Sequence, residues 1–310
     1  MTEARTTVVY LTGWCRSGTT LIGNLVGELP GAVHVGELRY LWLNGVLGRG
    51  TNDRCGCGAP VPDCPLWSQV LVRLAGPGYA ADAVRRQDRY LRTRHTAARL
   101  AEATGRRPRT AGSADALREL ERLYTTISAA SGARIVVDSG KFPAEPAALS
   151  GSTRLDAYVL HVVRDPRATA ESWRRAKEYI PRMGVARSTG YWVAFNRASA
   201  RLADAFGPRY RLLSYEQFSA RPRGTLGAVL AGWGLADEAP VAPDGTATLS
   251  VNHTVTGNPD RLRHGSVTIR PDERWRTTQP SGARWAASLI AAPWLRRYGY
   301  ALRPAATSRS

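Results

Sequence analysis

The sequence predicts an α/β protein: a doubly wound parallel sheet flanked by helices, in a single domain over 1–310. Short β-branched and apolar runs at 6–11, 32–35, 135–137, 157–163 and 210–213 have the length and composition of buried strands. Helical spacing follows several of them, as at 19–28 (Leu21, Leu25, Leu29) and 222–233, and strands alternating with helices argue for parallel βαβ units. A glycine-punctuated turn at 13–18 joins the first strand to the first helix.

In chain order, strand 6–11 leads through that turn into helix 19–28, and strand 32–35 ends at Gly36-Glu37. Residues 48–65 hold Gly, Pro and three cysteines and read as an irregular excursion. The stretch 79–102 is helical and arginine-rich (Arg85, Arg86, Arg89, Arg92, Arg94, Arg99), broken by Gly105-Arg106-Arg107-Pro108. Ser113 then reads as the N-cap of a helix carrying Leu117, Leu120, Leu123, Tyr124 and Ile127 on one side, stopped by Gly132. Strand 135–137 runs into Asp138-Ser139-Gly140-Lys141. Strand 157–163 ends at Arg164-Asp165-Pro166; Asp165 suits an N-cap and Pro166 the first helical position, so a helix passes through Thr169, Ser172 and Trp173. Residues 236–246 read as a connection and 303–310 as a frayed tail, and no internal repeat occurs.

A hydrophobic share of 43% with 22% charged residues excludes wholesale disorder, collagen and coiled coil. Lys and Arg number 43 against 25 Asp and Glu, a formal net charge of +18, and every basic residue except Lys141 and Lys177 is arginine. Arginine grips phosphate and sulfate through a planar fork, so the charge fits either a plain basic surface or an anionic ligand. No run reaches the apolar length of a membrane span, and the first residues lack a signal peptide's apolar region, so a cytoplasmic protein is expected.

Gly13-Trp14-Cys15-Arg16-Ser17-Gly18-Thr19-Thr20 fits a Walker A loop except that Thr19 stands where the lysine belongs. The parts of an anion cradle remain: a strand, a tight loop of inward amides, and a helix N-terminus. Thr19 and Thr20 add hydroxyls, and Arg16 puts a cation inside the loop. A plain glycine turn with Arg16 facing solvent is the alternative.

This loop, continued by Leu21, resembles the 5′-phosphosulfate loop of sulfotransferases that use 3′-phosphoadenosine 5′-phosphosulfate (PAPS), and is closer to the carbohydrate and tyrosylprotein branch than to the cytosolic branch with Lys in the loop. A second segment, His161-Val162-Val163-Arg164-Asp165-Pro166-Arg167-Ala168-Thr169-Ala170-Glu171-Ser172-Trp173, is similar to the family's 3′-phosphate segment. The resemblance implies that Arg164 and Ser172 hold the 3′-phosphate. The Arg leaves a strand's carboxyl end and the Ser lies on the helix that Asp165-Pro166 starts, so both can face one phosphate. Thr256-Gly257-Asn258-Pro259-Asp260-Arg261-Leu262-Arg263 resembles the loop that closes over the nucleotide in bacterial members, bringing Gly257, Asn258 and Arg261 to it. The likeness is good over 6–40 and 134–175, moderate over 250–276 and weak over 45–130 and 176–249. Those last two stretches are expected to be acceptor-side helical or loop insertions.

Sulfuryl transfer needs an in-line hydroxyl, a base and cations at the developing charge. Glu37, in His34-Val35-Gly36-Glu37-Leu38-Arg39, is the expected base, by position and by resemblance to a glutamate in a similar Gly-Glu segment. His34 competes, since another branch uses His, and a surface pair of Glu37 with Arg39 is the plain alternative. Lys141 is expected at the transferring sulfuryl oxygens, unless Asp138 and Lys141 only cap a turn. His253 is a weaker candidate for donor or acceptor contact. PAPS is the implied donor, with PAP as product and no metal in the chemistry.

Cys55, Cys57 and Cys64 lack the paired spacing of a zinc ribbon, and no fourth ligand is evident; zinc or a disulfide is possible, with packed free thiols the default. The arginines of 85–107 read as a solvated helix face beside the acceptor cleft, without the interleaved aromatics of a nucleic-acid platform. The expected function is sulfuryl transfer from PAPS to a small metabolite, sugar or glycosylated natural product, with no nucleic-acid partner. A degenerate P-loop kinase or NTPase and a non-catalytic polyanion-binding protein are the alternatives.

Overall fold

The first apolar run becomes strand β1 (Thr6–Thr12), whose last five residues are all buried. Such continuous burial belongs to a strand with neighbours on both edges and layers on both faces. The computed structural model, which describes residues 5–50, 52–74, 76, 78–175 and 182–302, puts β1 in the middle of a five-stranded parallel sheet. Helix α1 (Thr19–Gly27) leads to β2 (Ala32–Gly36). Helices α2 (Pro65–Leu74), α3 (Tyr79–Tyr90), α4 (Thr96–Ala103) and α5 (Ala111–Ser131) precede β3 (Ile135–Lys141). Next come α6 (Ala144–Leu149), β4 (Leu155–Val163), α7 (Pro166–Arg174), α8 (Val185–Ala200), α9 (Leu202–Phe206) and β5 (Tyr210–Ser214). Helices α10 (Tyr215–Ala220) and α11 (Pro222–Gly232), the antiparallel pair β6 (Thr246–Leu249) and β7 (Gly265–Thr268), α12 (Trp275–Thr278) and α13 (Ser281–Arg297) complete the chain.

The strand order is β2-β3-β1-β4-β5, as expected for a doubly wound sheet. Successive side chains point to opposite faces. Val8 joins Val136, Ala157 and Val159 under α2, α5 and α6. Val9 and Leu11 join Val137, Leu160 and Val162 under α1, α10 and α11. A third cluster (Trp14, Val163, Trp192, Phe195, Ala291, Leu295) seals α8 and α13 against the carboxyl end of the sheet. From β1 the chain runs to β2 and back through β3 on one side, then crosses over β1 to β4 on the other. The crevice this opens at the carboxyl ends of β1 and β4 is where open α/β sheets bind ligands.

Several local expectations are corrected. The stretch 79–102 is two helices, α3 and α4, separated by a 3₁₀ turn at Thr93–His95. The cap of α5 is Thr110, whose side chain accepts the Ser113 amide hydrogen; Ser113 sits inside the helix. On α1 the buried stripe is Ile22, Leu25 and Val26, while Leu21 is half-buried between that core and the cleft. Helix α7 begins as expected, with Asp165 accepting from the Arg167 amide and Pro166 in the first turn. The tail 303–310 and Lys177 lie outside the described residues.

Candidate active site

The loop after β1 is shaped by two glycines. Gly13 has φ +129° and passes so close to β4 that a Cβ there would stand 2.2 Å from the Val162 carbonyl oxygen. Gly18, at φ +86°, caps α1 in the left-handed region, and a Cβ on it would meet the Tyr215 ring at 2.5 Å. Between them Arg16 also takes a positive φ, 72°. Ser17, Thr19 and Thr20 are buried at the head of α1, and the Ser17 Oγ is enclosed without a hydrogen-bond partner. Ser17 does not line the cleft; Thr19 and Thr20, at the N-terminus of α1, do, which suits an anion cradle.

At the end of β4, Arg164 turns across this loop. One nitrogen donates to the Arg16 carbonyl at 3.1 Å, and another donates to the backbone and side-chain oxygens of Asp272 at 3.1 and 3.2 Å. The guanidinium lies 4.5 Å over the Tyr215 ring. From α7, Ser172 Oγ accepts from Arg16 Nε at 2.9 Å. The two segments, about 150 residues apart in sequence, thus share one hydrogen-bonded cluster. Asp272 escaped the sequence reading because its partner is 108 residues away. Hydrogen bonds from Arg274, with the Arg164 charge adding to them, hold its carboxyl well below the usual carboxylate range.

The same sheet edge carries Glu37 and Lys141. Near its carboxyl end β3 slips register against both β1 and β2. Asp138 supports this irregularity by accepting from the Gly140 amide (2.7 Å), the Leu38 amide (3.4 Å) and Tyr124 Oη (2.7 Å). The bulge turns Lys141 to φ +69° beside Thr12, whose hydroxyl donates to the Lys141 carbonyl at 2.9 Å. Lys141 Nζ then reaches Glu37 Oε1 at 2.6 Å and the Ser139 carbonyl at 3.1 Å. Glu37 therefore pairs with Lys141, not with Arg39. Arg39 is buried on Glu145 and Asp88, at 3.0 and 3.1 Å.

His34 is packed beneath this edge, only 2% exposed, with Nδ1 at Asn24 (2.8 Å) and Nε2 at Ser139 (3.2 Å). Burial, with Lys141 nearby, pushes its pKa down to about 3, so it is neutral at physiological pH. It does not line the cleft. Cys15 does, and burial pushes its thiol up to about 11.

Together these groups line a cleft of about 560 Å³, which includes Arg16, Gly18, Thr19, Thr20, Glu37, Lys141, Arg164, Ser172, Gly257 and Asn258. Arg261 is not among them: its guanidinium is turned inward onto the carbonyls of Thr254 (3.1 Å) and Arg54 (2.9 Å). Tyr40, Trp173, Tyr215 and Trp275 add flat aromatic walls. Thr256 also lines the cleft and completes a pattern. Among the described residues, Arg16, Lys141 and Thr256 are the non-glycine residues with positive φ, and all three face this one cavity. Thr256 is held by Asn44 Nδ2, which donates to its hydroxyl at 3.0 Å. No residue type announces such a backbone; only the packing shows it.

The arginine-rich stretch does not reach the cleft. Arg86 pairs with Glu119 at 2.6 Å, Arg92 with Asp88 at 3.1 Å, and buried Arg99 with Glu102 at 2.6 Å. His253 also lies off the cleft, its Nδ1 facing Cys64 and Cys55.

No protein-family model matches the chain, and no curated protein matches it in sequence. Solved structures do match. The sulfotransferase domain from the curacin biosynthetic pathway aligns with a TM-score of 0.54 and 14% identity, over 96% of this chain and 99% of that one. The sulfotransferase domain from the Synechococcus PCC 7002 olefin synthase aligns at 0.48 and 18% identity, over 98% of both chains. Sulfotransferase STF1 from Mycobacterium tuberculosis H37Rv aligns at 0.42 and 16% identity, over 75% of this chain and 68% of that one. At these identities the likeness is one of architecture, and the curacin domain carries it: this chain has the fold of sulfotransferase domains.

Proposed function

We propose that the protein transfers the sulfuryl group of PAPS to a hydroxyl of a small metabolite, sugar or glycosylated natural product, as a cytoplasmic tailoring enzyme. One observation carries the reading: Arg16, Ser172 and Arg164, from the two segments that resemble phosphate-binding segments, meet within hydrogen-bond distance beside the Glu37–Lys141 pair. Loop amides, Ser17, Thr19, Thr20 and Arg16 would hold the 5′ side of the donor. Arg164 and Ser172 would hold the 3′-phosphate, with Gly257 and Asn258 closing over the nucleotide. The Thr19 and Thr20 positions and the cationic cluster of Arg16 and Arg164 fit such a bis-anionic ligand. Arg261 fits a positioning role, bracing the 254–258 segment through its bonds to Thr254 and Arg54.

The donor supplies a sulfuryl group on a phosphate leaving group. Glu37 would take the proton of the acceptor hydroxyl, and Lys141 would meet negative charge developing on the transferring and bridging oxygens. In the resting site Nζ sits on the Glu37 carboxylate at 2.6 Å. As the ammonium swings toward the developing charge, it releases that carboxylate for the proton. One short ion pair thus keeps the base and the electrophilic cation in register.

The test is incubation with PAPS and a panel of hydroxylated metabolites, with mass spectrometry for an added sulfate and matching PAP. Calorimetry adds a second arm: PAP should bind, and more tightly than Mg·ATP. Tighter binding of Mg·ATP, with activity abolished by EDTA, would instead support the kinase or NTPase reading. Binding of nucleic acid or heparin without sulfation would support polyanion binding.

A further inference from the structure

Outside the cleft, the fold gathers the three clustered cysteines with a partner that their spacing does not reveal. Cys55, Cys57, Cys64 and His253 offer ligand atoms that all lie within 4.8 Å of one another. His253 Nδ1 is 3.2 Å from Cys64 Sγ and 3.7 Å from Cys55 Sγ. Tetrahedral zinc, with bonds of about 2.3 Å to sulfur and about 2.0 Å to nitrogen, needs ligand atoms roughly 3.5–3.8 Å apart. The cluster is within an ångström or so of that size. Cys55 and Cys64 are fully buried, while Cys57 and His253 are half-buried.

The backbone is arranged for it. The Gly58 amide donates to the Cys55 carbonyl at 2.9 Å, closing a tight turn that presents Cys55 and Cys57 together. Backbone amides of Leu66 and Trp67, at the start of α2, donate to the Cys64 sulfur, and the Cys57 amide donates to the Cys55 sulfur. Amides aimed at sulfur are the outer-shell support of thiolate ligands. His253 is brought in by a close approach: a Cβ on Gly56 would stand 2.0 Å from Asn252 Oδ1. Its own carbonyl accepts from Trp67 Nε1 at 2.8 Å. A disulfide would use two of the three thiols and leave the third thiol and the imidazole without a purpose.

We propose that Cys55, Cys57, Cys64 and the Nδ1 of His253 form a structural zinc site. Four protein ligands of this softness suit zinc and leave no open coordination position for chemistry. Its role follows from what it ties together. The Gly56 amide donates to Thr254 at 2.9 Å, Val255 bonds the edge of β2 through Val35 at 2.9 Å, and the Glu37 amide donates to the Val255 carbonyl at 2.8 Å. Zinc would clamp the 52–64 excursion to the strand-like segment that fixes Glu37 and leads into Thr256–Asn258. The inference stands whether or not the cleft transfers sulfuryl groups.

The full-length protein, purified from zinc-supplemented culture, is measured by elemental mass spectrometry. One zinc per chain is expected, released stoichiometrically by a thiol-binding mercurial and replaceable by cobalt with the intense absorption of a tetrahedral thiolate complex. Cys64 is fully buried and its substitution perturbs the core, so Cys57→Ser and His253→Gln, at the half-buried positions, are the informative variants. Each should retain the fold by circular dichroism, hold less than about half the zinc after chelator dialysis and lose cobalt thiolate absorption. Wild-type protein with less than about a tenth of an equivalent of zinc and no cobalt thiolate signal overturns the proposal, as does iron in its place. A Cys55–Cys64 disulfide, detected as a two-proton mass deficit, overturns it equally.

Discussion

Glu37→Gln separates the base from the ion pair it sits in. Glu37 Oε1 and Lys141 Nζ are 2.6 Å apart, with side-chain exposures of 14% and 5%. Removing one partner of so buried a pair altogether costs about 3–5 kcal/mol. Glutamine keeps a carbonyl oxygen at the same reach, and the ammonium keeps the Ser139 carbonyl at 3.1 Å. The loss then shrinks to the difference between a charged and a neutral hydrogen bond, about 1–2 kcal/mol, which a protein of ordinary stability survives. Turnover has no such protection: a missing general base costs about 10²-fold or more, at least ~2.7 kcal/mol of barrier. The assay is kcat by PAP release, paired with urea unfolding and PAP affinity by calorimetry. Expected are a collapse of kcat and a PAP affinity within about threefold of wild type. The double variant Glu37→Gln/Lys141→Met removes the unpaired cation, so stability should return toward wild type while activity does not. More than about a tenth of wild-type kcat in Glu37→Gln, or activity restored in the double variant, refutes Glu37 as the base.

The remaining expectations use other parts of the molecule. Arg16→Ala and Lys141→Ala should each lower turnover by about 10²-fold or more, Arg16→Ala also weakening PAP; a wild-type rate in either removes that residue from the mechanism. Asp272→Asn takes a negative charge off Arg164, from a side chain about a third exposed to screening solvent, and should tighten PAP by about threefold to fivefold in calorimetry. Weaker PAP binding would show that Asp272 helps the ligand rather than competing with it. Burial holds the His34 pKa at about 3 in the folded state, below the ordinary imidazole value of 6.5, so the unfolded chain takes up the proton first. Its contribution to stability is present above 6.5 and is lost as pH falls toward 3, at up to ~1.4 kcal/mol per pH unit. Urea unfolding of His34→Gln at pH 7.5 and 5.5 should therefore show a shallower loss on acidification than wild type; equal slopes refute the assignment.

What the sequence makes legible is what local chemistry decides. The order strand, glycine loop, helix is written in Thr7–Leu11, Gly13 and Gly18, and the close approach of Gly13 to Val162 explains why glycine stands there. Arg164 and Ser172 are legible because Asp165 and Pro166 start a helix between them, so their spacing translates into one face. What stays hidden depends on distant partners. Thr110 and Ser113 are equally good caps, and only the observed turn selects Thr110. Arg261 belongs to a motif that resembles a nucleotide loop, yet its head group is drawn inward by two carbonyls contributed by residues 54 and 254. Helices α8 and α13 draw their partners from the aromatic cluster at the sheet end, including Trp14 and Val163, and no local pattern announces that meeting.

The strained residues connect these two kinds of information. A left-handed backbone at a non-glycine residue costs about 1–3 kcal/mol and persists only where the surroundings over-determine it. Arg16 is held by Ser172 and Arg164, Lys141 by Thr12, Ser139 and Glu37, and Thr256 by Asn44. Each set of restraints comes from a different part of the chain, and each serves to aim one side chain at the same cavity. Glycine would relieve the backbone at all three positions and deliver no cation or hydroxyl. The chain instead keeps a cation or a hydroxyl where glycine would be easier, after β1, at the end of β3 and beside the end of β2. Among the described residues such strain at non-glycine positions is confined to one cavity, which marks that cavity as the place where the sequence has been shaped by something other than stability.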